Sequence, residues 1–189
     1  MNFNLTHMPD RMAKPRTSGI TMVMDKGLSL REAEDMVDAC GHLIDFVKLG
    51  FGTGMVTNRV EEKIKFYQQN NIHCYFGGTL FEAMAIRNSF DDYLRLIDKF
   101  GVNAAEVSDG SMAMDHHQKC EYISRIAKER VVLSEVGFKV AGVTINHEEW
   151  VRRMNTELQA GSFKVIAEAR ESGNVGIYKA DGSADIGLI

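Results

Sequence analysis

Ile44-Asp45-Phe46-Val47-Lys48-Leu49-Gly50-Phe51-Gly52-Thr53-Gly54 is an apolar run with one lysine near its end, opening into alternate glycines before a polar, helix-starting segment. Such a run reads as a buried parallel strand that leaves the core at a mouth where backbone can approach a ligand. A desolvated ammonium needs an anionic partner. Lys48 therefore sets the expectation that other strands bring charged groups to the same mouth.

Working outward, strand and helix alternate about six times. Apolar strands are expected over 19–24, 72–76, 104–107, 131–136 and 163–169, with helices between them. Ser29 and Glu32 make a capping box, with Leu30, Ala33, Val37 and Cys40 following at helical spacing. Asn58 with Glu61 and Asn146 with Glu149 offer further caps. Trp150, Met154 and Leu158 form one stripe, and Gly101 ends the helix that Ser89 restarts.

Units of about 25 to 35 residues leave two α/β options, an open doubly wound sheet or a (β/α) TIM-type barrel. An open sheet concentrates its site at one switch point, whereas a barrel gathers residues from many strand ends. Nearly every strand here exits on polar or charged residues, which favours the barrel. About six units are legible where a barrel has eight, so the expected barrel is incomplete. Residues 1–18 read as a polar lead-in that stays solvated, and 19–189 as the barrel domain, its C-terminal units expected to be absent.

The chain has 189 residues, with 44% hydrophobic and 25% charged content and a formal net charge of -4, the composition of an ordinary soluble domain. It has neither the basic excess of a nucleic-acid binder nor an apolar run approaching a membrane span. Cys40, Cys74 and Cys120 are dispersed, as in reduced cytosolic proteins, and no signal-peptide pattern begins the chain. Cytoplasmic residence follows as the expectation, without nucleic-acid or membrane partners.

Gly50, Gly52 and Gly54 do not make a dinucleotide fingerprint, because Met55 stands where the third glycine belongs and Gly77 and Gly78 stand where an acid should follow. The six histidines make no zinc spacing. The strand exits carry more information. Alternation puts Glu106 and Ser108 on one face of their strand, and Glu168 and Arg170 on one face of theirs. Asp25, Lys26, Lys48, Asp109, Glu135 and Lys139 complete the set. Acids of this kind suit Mg²⁺, which takes oxygen ligands and keeps several waters. The cations suit phosphate, carboxylate or sulfonate oxygens.

Six ordered motifs then carry a resemblance. They are Met22-Val23-Met24-Asp25-Lys26-Gly27, the run from Asp45 to Thr53, Gly77-Gly78-Thr79-Leu80-Phe81-Glu82, Glu106-Val107-Ser108-Asp109-Gly110, Glu135-Val136-Gly137, and Glu168-Ala169-Arg170-Glu171-Ser172-Gly173. Together they resemble the phosphosulfolactate synthase family. The resemblance implies a (β/α) barrel, Mg²⁺ dependence, and addition of sulfite to phosphoenolpyruvate to give (2R)-2-phospho-3-sulfolactate. It departs from the family pattern at Phe138, where a lysine usually precedes Lys139.

On this reading Lys139 donates the proton, while Lys48, Lys26 and Arg170 hold phosphate and sulfite. Gly77, Gly78 and Thr79 supply further donors, Asp25, Glu106 and Ser108 line the substrate, and Glu135, Glu168 and Asp109 are the candidate metal ligands. A homo-oligomer is expected. Two other readings stand beside it: an aldolase-like barrel using Lys139 or Lys48 as a Schiff base, and a non-catalytic, stress-associated relative.

Overall fold

A computed structural model describes residues 5–137, 146–169, 176–179 and 181–187. Strands and helices alternate as expected. The strands are β1 (Met22–Asp25), β2 (Phe46–Leu49), β3 (His73–Phe76), β4 (Ala104–Ser108), β5 (Val131–Val136) and β6 (Lys164–Ala167). The helices are α1 (Leu30–Cys40), α2 (Thr53–Val56), α3 (Val60–Gln69), α4 (Gly78–Ala85), α5 (Phe90–Lys99), α6 (His116–Ile126) and α7 (His147–Ala160). The ladders between these strands are parallel, and the strands form two three-stranded sheets in the orders β1-β2-β3 and β4-β5-β6. This is an α/β fold. Between the sheets, the Cys74 amide donates to the Asn103 side chain at 3.0 Å rather than to a strand carbonyl.

Local sequence sets several helix starts. Ser29 and Glu32 close a reciprocal capping box on α1, and Asp115 and Asn146 each accept from the amide three residues on. At α3 the expected Asn58 cap is not used. Arg59 occupies the position before the helix, left-handed at φ 60° and without a side-chain cap; its guanidinium instead grips Glu62. In α7 the inward face carries Trp150 and Glu157, while Leu158 is 44% exposed. The stripe drawn through Leu158 is thus off by one position.

The strands separate two cores. Val47, Leu49, Cys74, Phe76, Ala105, Val107 and Val132 face the helices and pack with Ile64, Tyr67, Phe81, Tyr93, Ile97 and Ile123. On the other face, Phe46, Tyr75, Ala104 and Leu133 form a smaller cluster spanning both sheets. Strand alternation explains the division, and it decides where each charged residue points.

The lead-in is largely exposed, as expected of a solvated segment, but three basic side chains tie it to the fold. Arg16 is buried, with Nε 3.1 Å from Asp45 and Nη2 donating to the His42 carbonyl at 2.8 Å. Lys14 donates to the carbonyls of Gly41 and Asn71, and Arg11 to those of Gly19 and Leu43. Basic side chains here donate to carbonyls around the start of the sheet. Among the described residues no helix is long and apolar enough to cross a membrane.

Candidate functional site

The register of β2 places Lys48 opposite Met24 on one side and Tyr75 on the other. All three lie on the face away from the helices. On β4 and β5, Glu106 is opposite Leu133 and Ser108 is opposite Glu135. Lys48 reaches across from the first sheet to the second, with Nζ 2.7 Å from Glu106 Oε1 and 3.6 Å from Glu135 Oε2. The ammonium that looked costly in the sequence is thus met by two carboxylates.

Their electrostatics are coupled. Burial alone would lower the Lys48 pKa, but the charges of Glu106 and Glu135 outweigh it and leave the value raised. Burial pushes Glu106 up and the neighbouring Glu135 charge adds to that, with Lys48 and the Gly78 amide pulling against them; the net direction is up. Burial, and then the Glu106 charge, push the Tyr75 phenol well above its ordinary value, so it stays neutral.

Gly77 and Gly78 are buried at the exit of β3 and the start of α4. The Gly78 amide donates to Glu106 Oε1 at 2.7 Å. Ser108 Oγ donates to Glu82 Oε1 at 2.6 Å, drawing α4 onto the same acids. A Cβ on Gly78 would come within 2.6 Å of Glu106 Oε1 and closer still to Ser108 Oγ. Gly78→Ala is therefore expected to cost about 1–3 kcal/mol through overpacking, measured by urea denaturation.

Not all the expected site residues converge. Lys48, Glu106, Ser108, Glu135, Gly77 and Gly78 lie together, with Thr79 half-buried beside them. Glu168 is buried just beyond β6, and alternation from Ile166 carries it to the same face. Lys26 is exposed past the end of β1. Lys139 and Arg170 lie outside the described residues, as does Phe138.

Asp25 and Asp109 are on the opposite, helix-facing side. Asp25 accepts from the amides of Gly27 and Leu28 and from Tyr67, and pairs with Lys63 of α3 at 2.8 Å. Asp109 pairs with Lys119 of α6 at 2.7 Å. Lys119 also meets Glu157 at 2.8 Å and donates to the Glu135 carbonyl at 2.6 Å, while His116 lies 3.2 Å from Glu157.

Lys63, Lys119 and Glu157 were missed in the sequence. A signal was present: each sits on its helix's apolar stripe, Lys63 between Val60 and Tyr67, Lys119 four residues before Ile123, and Glu157 seven after Trp150.

Of the three candidate metal ligands, Glu135 and Glu168 are both buried. Among the described residues no three His, Cys, Asp or Glu side chains group as a metal cage, and Asp109 is committed to Lys119 on the far face. Mg²⁺ needs only one or two carboxylates when substrate and water complete its shell, and Glu135 and Glu168 are acids of that kind on the Lys48 side.

The sequence profile of the (2R)-phospho-3-sulfolactate synthase (ComA) family matches residues 9–189. The phosphosulfolactate synthase of Bacillus subtilis (strain 168) is 36% identical over 191 residues, spanning 100% of this chain and 76% of its own. That of Methanocaldococcus jannaschii is 40% identical over 171 residues, spanning 87% and 68% respectively. That of Methanothermobacter thermautotrophicus is 36% identical over 181 residues, spanning 93% and 70%. Among solved structures, a 3-hexulose-6-phosphate synthase aligns over 81% of this chain and 67% of its own at 15% identity, with a TM-score of 0.46. A likeness that low carries no argument.

Proposed function

The chain belongs to the phosphosulfolactate synthase family, and from that membership we propose that it adds sulfite to phosphoenolpyruvate in an Mg²⁺-dependent reaction giving (2R)-2-phospho-3-sulfolactate. We read the two sheets as parts of one (β/α) barrel whose strand ends carry the site. The observation that supports this most is Lys48, which bridges Glu106 and Glu135 across the sheets on the face away from the helices.

In the proposed reaction the sulfite sulfur lone pair attacks the methylene carbon of phosphoenolpyruvate. The carbon–sulfur bond forms as the double-bond electrons move into the carboxylate, giving an aci-carboxylate. A proton is then delivered to the carbon bearing phosphate. The site must stabilise a growing dianion and hold an acid. Glu135 and Glu168 would hold Mg²⁺, which when bound would supply Lewis acidity toward the substrate carboxylate. Lys48 stays charged through the neutral range and faces the developing negative charge. Lys26, with Arg170, holds phosphate and sulfite. The Thr79 hydroxyl offers a further donor to an anion, while the Gly77 and Gly78 amides expected to do so are already given to the Leu49 carbonyl and to Glu106. Lys139 is the proposed proton donor.

The test is ³¹P NMR of phosphoenolpyruvate incubated with the protein, with and without sulfite and Mg²⁺. A new phosphate-ester resonance is expected only when both are present; unchanged phosphoenolpyruvate under those conditions overturns the reading. Lys139→Ala should abolish the product, and undiminished turnover would remove Lys139 from its role. Schiff-base use of Lys48 finds no support, since that chemistry needs a lowered lysine pKa and here two carboxylates raise it.

A pH dependence follows from Glu106. Its folded pKa lies above the ordinary 4.5, so as pH falls the proton arrives earlier than on a free carboxyl and removes the charge that holds Lys48. The acid limb of kcat/KM is expected above the ordinary glutamate range. Glu106→Gln should lower activity and erase that limb.

A further inference from the structure

We propose that Lys119 is a positioning residue for this reaction: by gripping the main-chain carbonyl of Glu135, it sets where the Glu135 carboxylate meets Lys48. Lys119 is on α6, on the far side of the sheet from the reacting face, and only 1% exposed. An ammonium has three protons to donate, and the partners here come from three other elements. They are Asp109 Oδ1 just after β4 at 2.7 Å, Glu157 Oε1 on α7 at 2.8 Å, and the Glu135 carbonyl within β5 at 2.6 Å.

Charge balance alone needs one carboxylate. Two carboxylates aim the ammonium, leaving its remaining proton for the Glu135 carbonyl. Asp109 and Glu157 are themselves buried, at 4% and 0% exposure, so this aim is set in a dry, packed environment where groups have little freedom to drift. The carbonyl and the carboxylate of Glu135 belong to one residue. Fixing the first on the helix side limits where the second stands opposite Ser108 and 3.6 Å from Lys48. Small misplacements of a reacting group cost rate rather than binding.

The kinetic arm of this inference rests on the proposed synthase reaction; the spectroscopic arm does not. Removing Lys119 alone would strand two buried carboxylates, so the main variant is Lys119→Met/Asp109→Asn/Glu157→Gln, which takes out all three charges. The second is Lys119→Arg, which keeps the charge but replaces a point donor with a planar fork. Both are first shown to be folded by circular dichroism and thermal melting.

In the triple variant kcat should fall roughly 10- to 100-fold, with KM for phosphoenolpyruvate within about 3-fold of wild type. A smaller fall is expected for Lys119→Arg. In protein labelled with ¹³C-glutamate, the Glu135 carboxylate resonance, assigned by Glu135→Gln, should move in both. Wild-type kcat in the folded triple variant would overturn the proposal. So would an unmoved Glu135 resonance in either folded variant, whatever the activity. If wild type shows no turnover while the resonance moves, the synthase reading fails and the positioning of Glu135 by Lys119 stands.

Discussion

Lys63→Met is expected to lower the unfolding free energy by about 3–5 kcal/mol, seen as a large fall in the urea midpoint without a change in slope. Lys63 and Asp25 are 1% and 0% exposed, and the ion pair between them is 2.8 Å long. A buried pair is weak evidence for net stability, because desolvating both charges offsets much of their attraction. Breaking one is different, since it leaves the other charge dry and uncompensated. Lys63 also donates to the Leu28 carbonyl at 2.6 Å, joining α3 to the turn that follows β1.

The double variant Lys63→Met/Asp25→Asn should recover most of the loss. It removes the stranded charge and keeps an acceptor for the Gly27 and Leu28 amides. If the single variant were as stable as wild type, Asp25 would not depend on Lys63 and the account of this corner would fail.

Lys48→Met is expected to reduce kcat by roughly 10²–10³, the range found when one preorganised donor to a developing negative charge is removed. The protein should still fold at neutral pH. Glu106 and Glu135 would lose their shared cation, and a carboxyl whose pKa is already raised by burial answers such a loss by holding a proton. The measurement is steady-state kinetics with phosphoenolpyruvate and sulfite beside a thermal melt. Near-normal kcat in a folded Lys48→Met protein would move the charge-stabilising role to another residue. Lys48→Arg is not expected to rescue, because a planar fork cannot reproduce a point charge set between two acids.

How much of this was legible differs from residue to residue. The helix restart at Ser89 was placed correctly, although the Ser89 side chain makes no cap hydrogen bond. The alternation of strand and helix and the capping box at Ser29 and Glu32 were readable, because period and capping chemistry are local. Glu106 and Ser108 were correctly placed on one face for the same reason. That rule, applied to Asp25 beside Val23 and Asp109 beside Val107, would have set those two apart from Lys48, since their neighbours face the helices. Lys63 and Lys119 could not be told from solvated lysines by pattern alone. A lysine on an apolar stripe is explained only by the acid that meets it, and those acids lie 38 and 10 residues away in the chain.

By itself the sequence determined the alternation of strand and helix that makes an α/β fold, the family, and a set of charged strand ends. Those properties follow from residue type and short-range spacing. Only the tertiary structure decided which carboxylate meets which cation: Lys48 between Glu106 and Glu135, Asp25 on Lys63, Asp109 and Glu157 on Lys119. The reason is physical. A buried charge takes its partner from whatever element the fold packs against it, and that is settled by the packing of α3, α6 and α7 on the sheets, not by any interval along the chain.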